Sequence, residues 1–489
     1  MKDNVNKFKD TGEIIPSRNY YLELWVIAYP LLITNATNTI MQFVDRKFLA
    51  SYSTNDVAAA LPGGVLSFLI FSFFLITTGF TASIISQNFG KKNFEACARV
   101  PWAGFHFALI AGLICSWGLI YPGEYFIYKG GHAPEIQAKE LEYFHIMMSS
   151  SAFLFMTTAF SAFFTGRGKT WTIVLIQSIA NLVNIGLDYI LIFGKFGFPE
   201  MGISGAAFAT LVGCFVAALI AFSLFIFQNQ KNYPTRSNWL PNFKDLKRLL
   251  TFGAPSGIEV AFSVSGFTYL IFLIGRMGQL ELAASTIVFS INMLIFMPLM
   301  STSEAVGILT GRYVGAGDFK NAAKTPYRAW SGLVFYLILM GLVYIFFKRP
   351  LFEFFAPDKN QNSNFEAIVA LGGSILVCLA VSNIFDSFKF MFVGALRGAG
   401  DTKVSMFILI GTSWLILIPG AYIIVEIYHF GIIQLWFFII SYSALTSLLL
   451  WGRFYSGAWK KIDMLKDNDI TTELKILNSI ENEGESPHL

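Results

Sequence analysis

Asn184 and Asp188 stand four residues apart in NLVNIGLDYILIFG, inside a long apolar run. On a helix that spacing puts an amide and a carboxylate on one face, one turn apart. Such a pair can offer oxygen ligands to a small cation or take up a proton; it can equally be a packing pair satisfied by neighbouring helices. A charge near the centre of a bilayer costs roughly 2.5–3.5 kcal/mol on insertion scales, so it persists where it lines a cavity, binds a cation or titrates. Asp45 closes the first apolar run, NTIMQFVDRKFLA. It lies either at the aqueous edge or, if Pro30 bends that helix, turned inward. Asn35 and Asn38, earlier on the same run, could line the same pocket. Asp386 in SNIFDSFKFMFVG has Lys389 three residues on, a spacing that allows an ion pair on a helix. Glu259 and Glu304 also sit in apolar surroundings, Glu304 near enough to a span end to be solvated.

Only a membrane frame suits so many apolar neighbours. The chain has 489 residues, of which 13% are charged, against about 25% in a soluble domain. With 51 Phe and 10 Trp, too little polar surface remains for a water-soluble body. A spanning helix needs about 20 mostly apolar residues. Twelve such runs are present: 21–44, 57–80, 101–120, 142–165, 171–194, 202–227, 251–275, 284–308, 329–347, 365–393, 404–426 and 432–451. The short alternating segments of a β-barrel are missing. Cys97, Cys115, Cys214 and Cys378 show no metal or disulfide spacing, and the five histidines are scattered. No nucleophile–base set points to a membrane enzyme. The polar start, MKDNVNKFKDTGEIIPSRNYY, is not a signal peptide.

Positive charge orients the chain. The side holding both termini and loops 81–100, 164–170, 228–250, 309–328 and 395–403 collects 25 of the 35 Lys and Arg. The other side holds 9, and Lys389 lies inside a span. Both termini are therefore expected in the cytosol. The polar segment 228–250 falls after six spans and reads as a linker. The expected organisation is a cytosolic segment 1–20, a first lobe 21–227, the linker 228–250, a second lobe 251–451 and a cytosolic tail 452–489.

The two lobes repeat one another. QNFGKKNFEACARVP at 87–101 and RYVGAGDFKNAAKTP at 312–326 share Gly90 with Gly315, Phe94 with Phe319 and Pro101 with Pro326, at a constant offset of 225. GRGKT at 166–170 and GAGDT at 398–402 form a second pair at offset 232. A parallel duplication of six helices accounts for both. It also removes a nucleotide reading of GRGKT: the first glycine of a Walker loop would fall at Phe163, no strand precedes it, and GAGDT lacks the lysine.

Taken in order, N-x-x-x-D-Y-I-L-I-F-G at 184–194, G-I-S-G-A-A-x-A-T at 202–210, V-G-A-G-D at 314–318 and G-A-L-R-G-A-G-D-T-K at 394–403 are collectively specific. Over essentially residues 20–450 the chain resembles the multidrug and toxic compound extrusion (MATE) family of secondary transporters. The resemblance implies an all-α polytopic membrane protein of the MOP superfamily, with 12 transmembrane helices in two pseudo-symmetric six-helix lobes. It implies an antiporter of the plasma or bacterial inner membrane, not an enzyme. Such an antiporter exports organic, cationic or amphipathic compounds in exchange for H+ or Na+ by alternating access. Its partners are then the lipid bilayer and a small organic substrate, not nucleic acid; it works as a monomer and needs no cofactor beyond the coupling ion.

The family's coupling site falls here on Asp45, Asn184, Asp188 and Thr210, the place a Na+ would occupy, and its bend proline on Pro30. Nothing further in that lobe clearly completes a sodium shell, which favours H+. Some relatives add a span 10 carboxylate eight residues before the glycine of G-x-L-R-G, which falls on Asp386. They commonly carry glutamine where Lys389 stands, and a span 7 carboxylate about eight residues past a proline, whereas Glu259 is four past Pro255. Asp386, Lys389 and Glu259 are therefore a second coupling or cargo site, ranked below the first. The alternative function is a flippase of lipid-linked sugars or cell-wall precursors from the same superfamily. Those relatives build a basic cavity for pyrophosphate, whereas the intramembrane charges here are mostly acidic.

Overall fold

The computed structural model describes residues 20–355 and 365–466, so the expected segment 1–19 and the tail beyond 466 lie outside the described residues. In lipid a spanning backbone must satisfy its own polar groups, and the apolar runs do so as helices. These are α1 (Tyr20–Tyr52), α2 (Thr54–Gly90), α3 (Phe94–Gly118), α4 (Pro134–Gly166), α5 (Trp171–Phe193), α6 (Ile203–Ile226), α7 (Phe243–Met277), α8 (Gln279–Gly315), α9 (Phe319–Phe346), α10 (Phe365–Ala399), α11 (Thr402–Ile427) and α12 (Ile432–Tyr455). Among the described residues eleven helices are long and apolar enough to cross a membrane, and twelve when the bent α8 is one span. The fold is that of an all-α polytopic membrane protein.

Several helices outrun the apolar stretches that announced them. The loop expected at 81–100 is helical to Gly90 and again from Phe94, and α7 begins at Phe243, inside the expected linker. Hydropathy marks where a helix leaves hydrocarbon; capping decides where its hydrogen bonding ends. Asn93 accepts from the Ala96 N–H at the start of α3, and Asn242 from the Lys244 and Asp245 N–H groups at the start of α7. The rest of the linker is pinned to the first half, where Trp102 Nε1 donates to the Thr235 carbonyl at 2.8 Å.

Proline shapes two helices. α8 turns by 46° between Met293 and Ile295, because Pro298 withholds the N–H that the Leu294 carbonyl needs and crowds it with its ring. In α1, Pro30 frees the Val26 carbonyl in the same way, and the Thr170 hydroxyl donates to it at 3.4 Å.

The internal repeat is visible as one packing scheme used twice. In the first half α4 is the hub, packed on α2, α3 and α6, while α1 pairs with α5. In the second half α10 packs on α8, α9 and α12, while α7 pairs with α11. Aromatic side chains fill the space around the hubs, with Phe155, Phe160 and Phe163 buried on α4 and Phe392 on α10.

Both hubs end in the same turn. The Lys169 N–H bonds the Phe164 carbonyl at 2.9 Å and the Asp401 N–H bonds the Leu396 carbonyl at 2.8 Å, around left-handed glycines Gly168 (φ +68°) and Gly400 (φ +90°). That is the Schellman ending, and it explains GRGKT and GAGDT without any phosphate. α2 and α8 end likewise, but the left-handed position holds Lys92 (φ +60°) in one and Gly317 (φ +76°) in the other. A left-handed non-glycine residue costs about 1–2 kcal/mol, offset by the extra entropy glycine loses on folding, about 0.5–1 kcal/mol. Lys92→Gly should therefore raise the thermal unfolding midpoint slightly, as read by a thiol-reactive dye in detergent. A lower midpoint would contradict the strain.

The halves meet closely at the end that bears these basic turns. A Cβ on Gly90 would lie 2.2 Å from the Arg312 carbonyl oxygen, and one on Gly315 would lie 2.0 Å from that of Gln87. Gly90 and Gly315 are repeat mates, and so are Gln87 and Arg312, so the contact is reciprocal, as at a two-fold interface. Around it Tyr20 Oη donates to the Thr325 carbonyl at 2.9 Å and Tyr313 Oη to Glu23 Oε2 at 2.8 Å. Arg99 Nε donates to Asp245 Oδ2 at 2.6 Å. Further along α1, Asn35 Nδ2 donates to Ser301 Oγ of α8 at 2.9 Å.

Candidate functional site

Along α5 a polar stripe runs through otherwise apolar surface. Asn181, Asn184 and Asp188 fall at i, i+3 and i+7 and are all buried. Asn181 Nδ2 donates to Asn38 Oδ1 of α1 at 2.9 Å. The Asn184 amide sits between α5 and α6, where its nitrogen donates to Thr210 Oγ1 at 3.4 Å; turned over, its nitrogen would donate to Asp188 Oδ2 at 3.2 Å and its oxygen would accept the Thr210 N–H at 3.1 Å. The hydroxyl of Thr210 bonds back to the Ala206 carbonyl at 3.1 Å. Thr210 can stand this close because Gly213, one turn on, has no side chain to separate α6 from Asn184.

Asp45 comes from α1, half-buried, and lies within electrostatic range of Asp188. Tyr143 of α4, buried against Gly63 of α2, lies in the field of both carboxylates and of Arg46. Asp188 Oδ1 and Asp45 Oδ1 are buried without a hydrogen-bond partner. Two carboxylates that feel one another in a low-dielectric site, each with a free acceptor, can take up a proton or receive a cation. Among the described residues no group of three or more His, Cys, Asp or Glu side chains gathers to hold a metal.

The second set is built differently. Lys389 Nζ donates to Asp386 Oδ1 at 2.6 Å, Ser382 Oγ donates to Asp386 Oδ2 at 3.2 Å, and Ser443 Oγ of α12 donates to Asp386 Oδ1. Glu259 is bonded by Arg397 across α7 and α10. Asp386 and Glu259 thus carry their own cations. Next to them Asn383 Nδ2 donates to Asn292 Oδ1 at 2.9 Å. Glu304 is exposed. Removing one partner of a buried pair costs about 3–5 kcal/mol, because the other charge stays behind. Lys389→Ala should therefore lower the thermal midpoint markedly, and Lys389→Ala with Asp386→Ala should recover much of the loss. Equal midpoints in single and double variants would show that the pair is not coupled.

The MatE family model matches residues 30–190 and again residues 255–423, the two copies beginning at the repeat-related Pro30 and Pro255. The chain belongs to the MatE family. This is a family of transporters, not enzymes. The chain is similar to the probable multidrug resistance protein NorM of Thermotoga maritima, 28% identical over 444 residues, covering 90% of this chain and 93% of that protein. It is 25% identical over 416 residues to the multidrug resistance protein MdtK of Pectobacterium atrosepticum, covering 82% and 87%. Among solved structures, a multidrug resistance MATE family transporter of the MOP superfamily, in an outward-facing conformation, superposes with a TM-score of 0.81 at 21% identity, covering 90% of this chain and 96% of that one.

The MatE fold thus brings Asp45, Asn184, Asp188 and Thr210 to one place. Asn38 reaches the same stripe through Asn181, while Asn35 leaves it for Ser301 of the other half. Sequence reasoning missed Asn181, although its spacing to Asn184 and Asp188 could have revealed it. Tyr143 had no such signal, since only the fold brings it into one buried cluster with Leu49 of α1 and Ile192 of α5. The pairing of Glu259 with Arg397, 138 residues apart, was equally hidden.

Proposed function

We propose that this MatE transporter is a cation-coupled antiporter that exports organic, cationic or amphipathic compounds by alternating access across a bacterial inner membrane, with both termini in the cytosol. Coupling falls on Asp45, Asn184, Asp188 and Thr210. The observation that carries this reading is the contrast between halves: Asp45 and Asp188 keep unpartnered buried oxygens, whereas Asp386 and Glu259 are held by Lys389 and Arg397.

The proposed coupling ion is H+. Among the described residues no third carboxylate, histidine or cysteine joins Asp45 and Asp188 in a metal-holding group. A sodium ion would lack that further ligand, whereas a proton needs only one of the two carboxylates. Proton uptake removes the repulsion between Asp45 and Asp188 and lets α1 settle against α5; proton loss restores it. That gives the site two arrangements of α1, which bears directly on α8 through Asn35 and Ser301. The close junction of the halves at the basic end supports a state shut towards the cytosol.

Purified protein in liposomes, loaded with a fluorescent organic cation and given H+ and Na+ gradients separately, tests the reading. Transport driven by the H+ gradient alone is expected. Transport driven only by Na+ would overturn the choice of ion, and movement of a lipid-linked sugar with no cation transport would favour a flippase.

A further inference from the structure

Gln87 and Arg312 hold equivalent places in the two halves, and each reaches across to the hub helix of the other. Gln87, 2% exposed, donates from Nε2 to the Gly398 carbonyl at 2.9 Å, in the last turn of α10. Arg312, 9% exposed, lies on the turn that ends α4, where a Cβ on Gly168 would sit 2.1 Å from its Nη2. The C-terminal end of a helix carries carbonyls without intrahelical partners and a partial negative charge. Gln87 supplies such an end with an amide N–H, whereas Arg312 lays its guanidinium over the turn with its Nε left without a hydrogen-bond partner.

Arg312 depends on that placement. Among the described residues no carboxylate lies at salt-bridge distance from it. Glu23 attracts it only from further off, with Oε2 engaged by Tyr313 Oη, and Arg167 repels it. The Phe89 ring stands 5.2 Å from its Cζ. A buried guanidinium without an ion-pair partner is stable only while nearby dipoles and rings stay in place. Separation of the halves at this end would strip both residues of their partners at once.

We propose that Gln87 and Arg312 are gating residues of the transport cycle: each is lent by one half to the hub helix of the other, Gln87 as a cap on α10 and Arg312 packed over the turn that ends α4, and together they hold the basic end closed. The inference rests on the alternating-access reading above. It predicts that loss of both contacts shifts the protein towards the state open at the basic end without touching the carboxylate site.

Spin labels at Glu95 and Lys320, exposed repeat mates at the basic end of the two halves, report the separation. They would be placed in a background with the four cysteines replaced by alanine, in the full chain in nanodiscs. Gln87→Ala with Arg312→Gln is expected to raise the population at long separation several-fold. Should that variant fail to fold, a matched pair of glycine variants decides. Gly168→Ala and Gly400→Ala strain equivalent left-handed turns, but only Gly168 lies under Arg312, whereas Gly400 faces Met464. Opening by Gly168→Ala alone supports the paired contacts. Equal distributions in the two glycine variants, or a folded double variant indistinguishable from the parent, overturn them. A parent protein that transports in liposomes yet keeps one separation under every gradient and cargo would instead overturn alternating access.

Discussion

Asp188→Asn is expected to lower gradient-driven efflux to the rate of protein-free liposomes while leaving the fold intact. The substitution preserves size and still offers an oxygen to the Asn184 amide, so the α5–α6 contact survives. It removes the group that can gain or lose a proton, and with it the repulsion that Asp45 feels. Asp386→Asn is the informative contrast. It unpairs Lys389 and so should lower the thermal midpoint, but gradient-driven efflux per folded molecule should persist, because Asp386 is already neutralised by a tethered ammonium. Undiminished efflux in Asp188→Asn, or abolished efflux in well-folded Asp386→Asn, would transfer the coupling role to the second half.

The largest expected effect on folding is that of Gly398→Leu. A Cβ at Gly398 would lie 2.1 Å from the Gly307 carbonyl oxygen, and one at Gly394 would lie 2.2 Å from that of Ser303, so α8 and α10 touch backbone to backbone. Small residues permit such approach in membranes, where packing rather than hydrophobicity joins helices. Overpacking a core ordinarily costs about 1–3 kcal/mol. Here the obstacle is main chain, which cannot turn aside as a side chain can. Little monodisperse protein is expected on gel filtration, whereas Gly411→Ala, with open space around it, should purify as the parent does. Normal yield and midpoint for Gly398→Leu would refute the close approach.

Much of this architecture was legible because duplication writes the same constraint twice. Gly90 with Gly315, and Gly168 with Gly400, stand out at fixed offsets, and each pair occupies equivalent geometry in the two halves. The i,i+4 spacing of Asn184 and Asp188 likewise foretold a shared helix face. What stayed hidden depends on contacts between distant segments. Nothing local to Tyr143 hints that α4 carries it to Asp45, and nothing in the spacing of Glu259 foretells Arg397. Helix ends were misread at 81–100 and 228–250, where polar residues continue a helix after it has left the apolar layer.

The two halves also differ in how they would respond to membrane voltage. Asp386 and Lys389 form a zwitterion on one helix, and so move together as an electrically neutral body. An elementary charge carried across 100 mV is worth about 2.3 kcal/mol, yet displacement of α10 moves almost none on their account. The Asp45–Asp188 site has no such internal balance. Of these two sites, only the first would therefore contribute current as its helices move, while the Asp386–Lys389 pair could rock through the field almost silently.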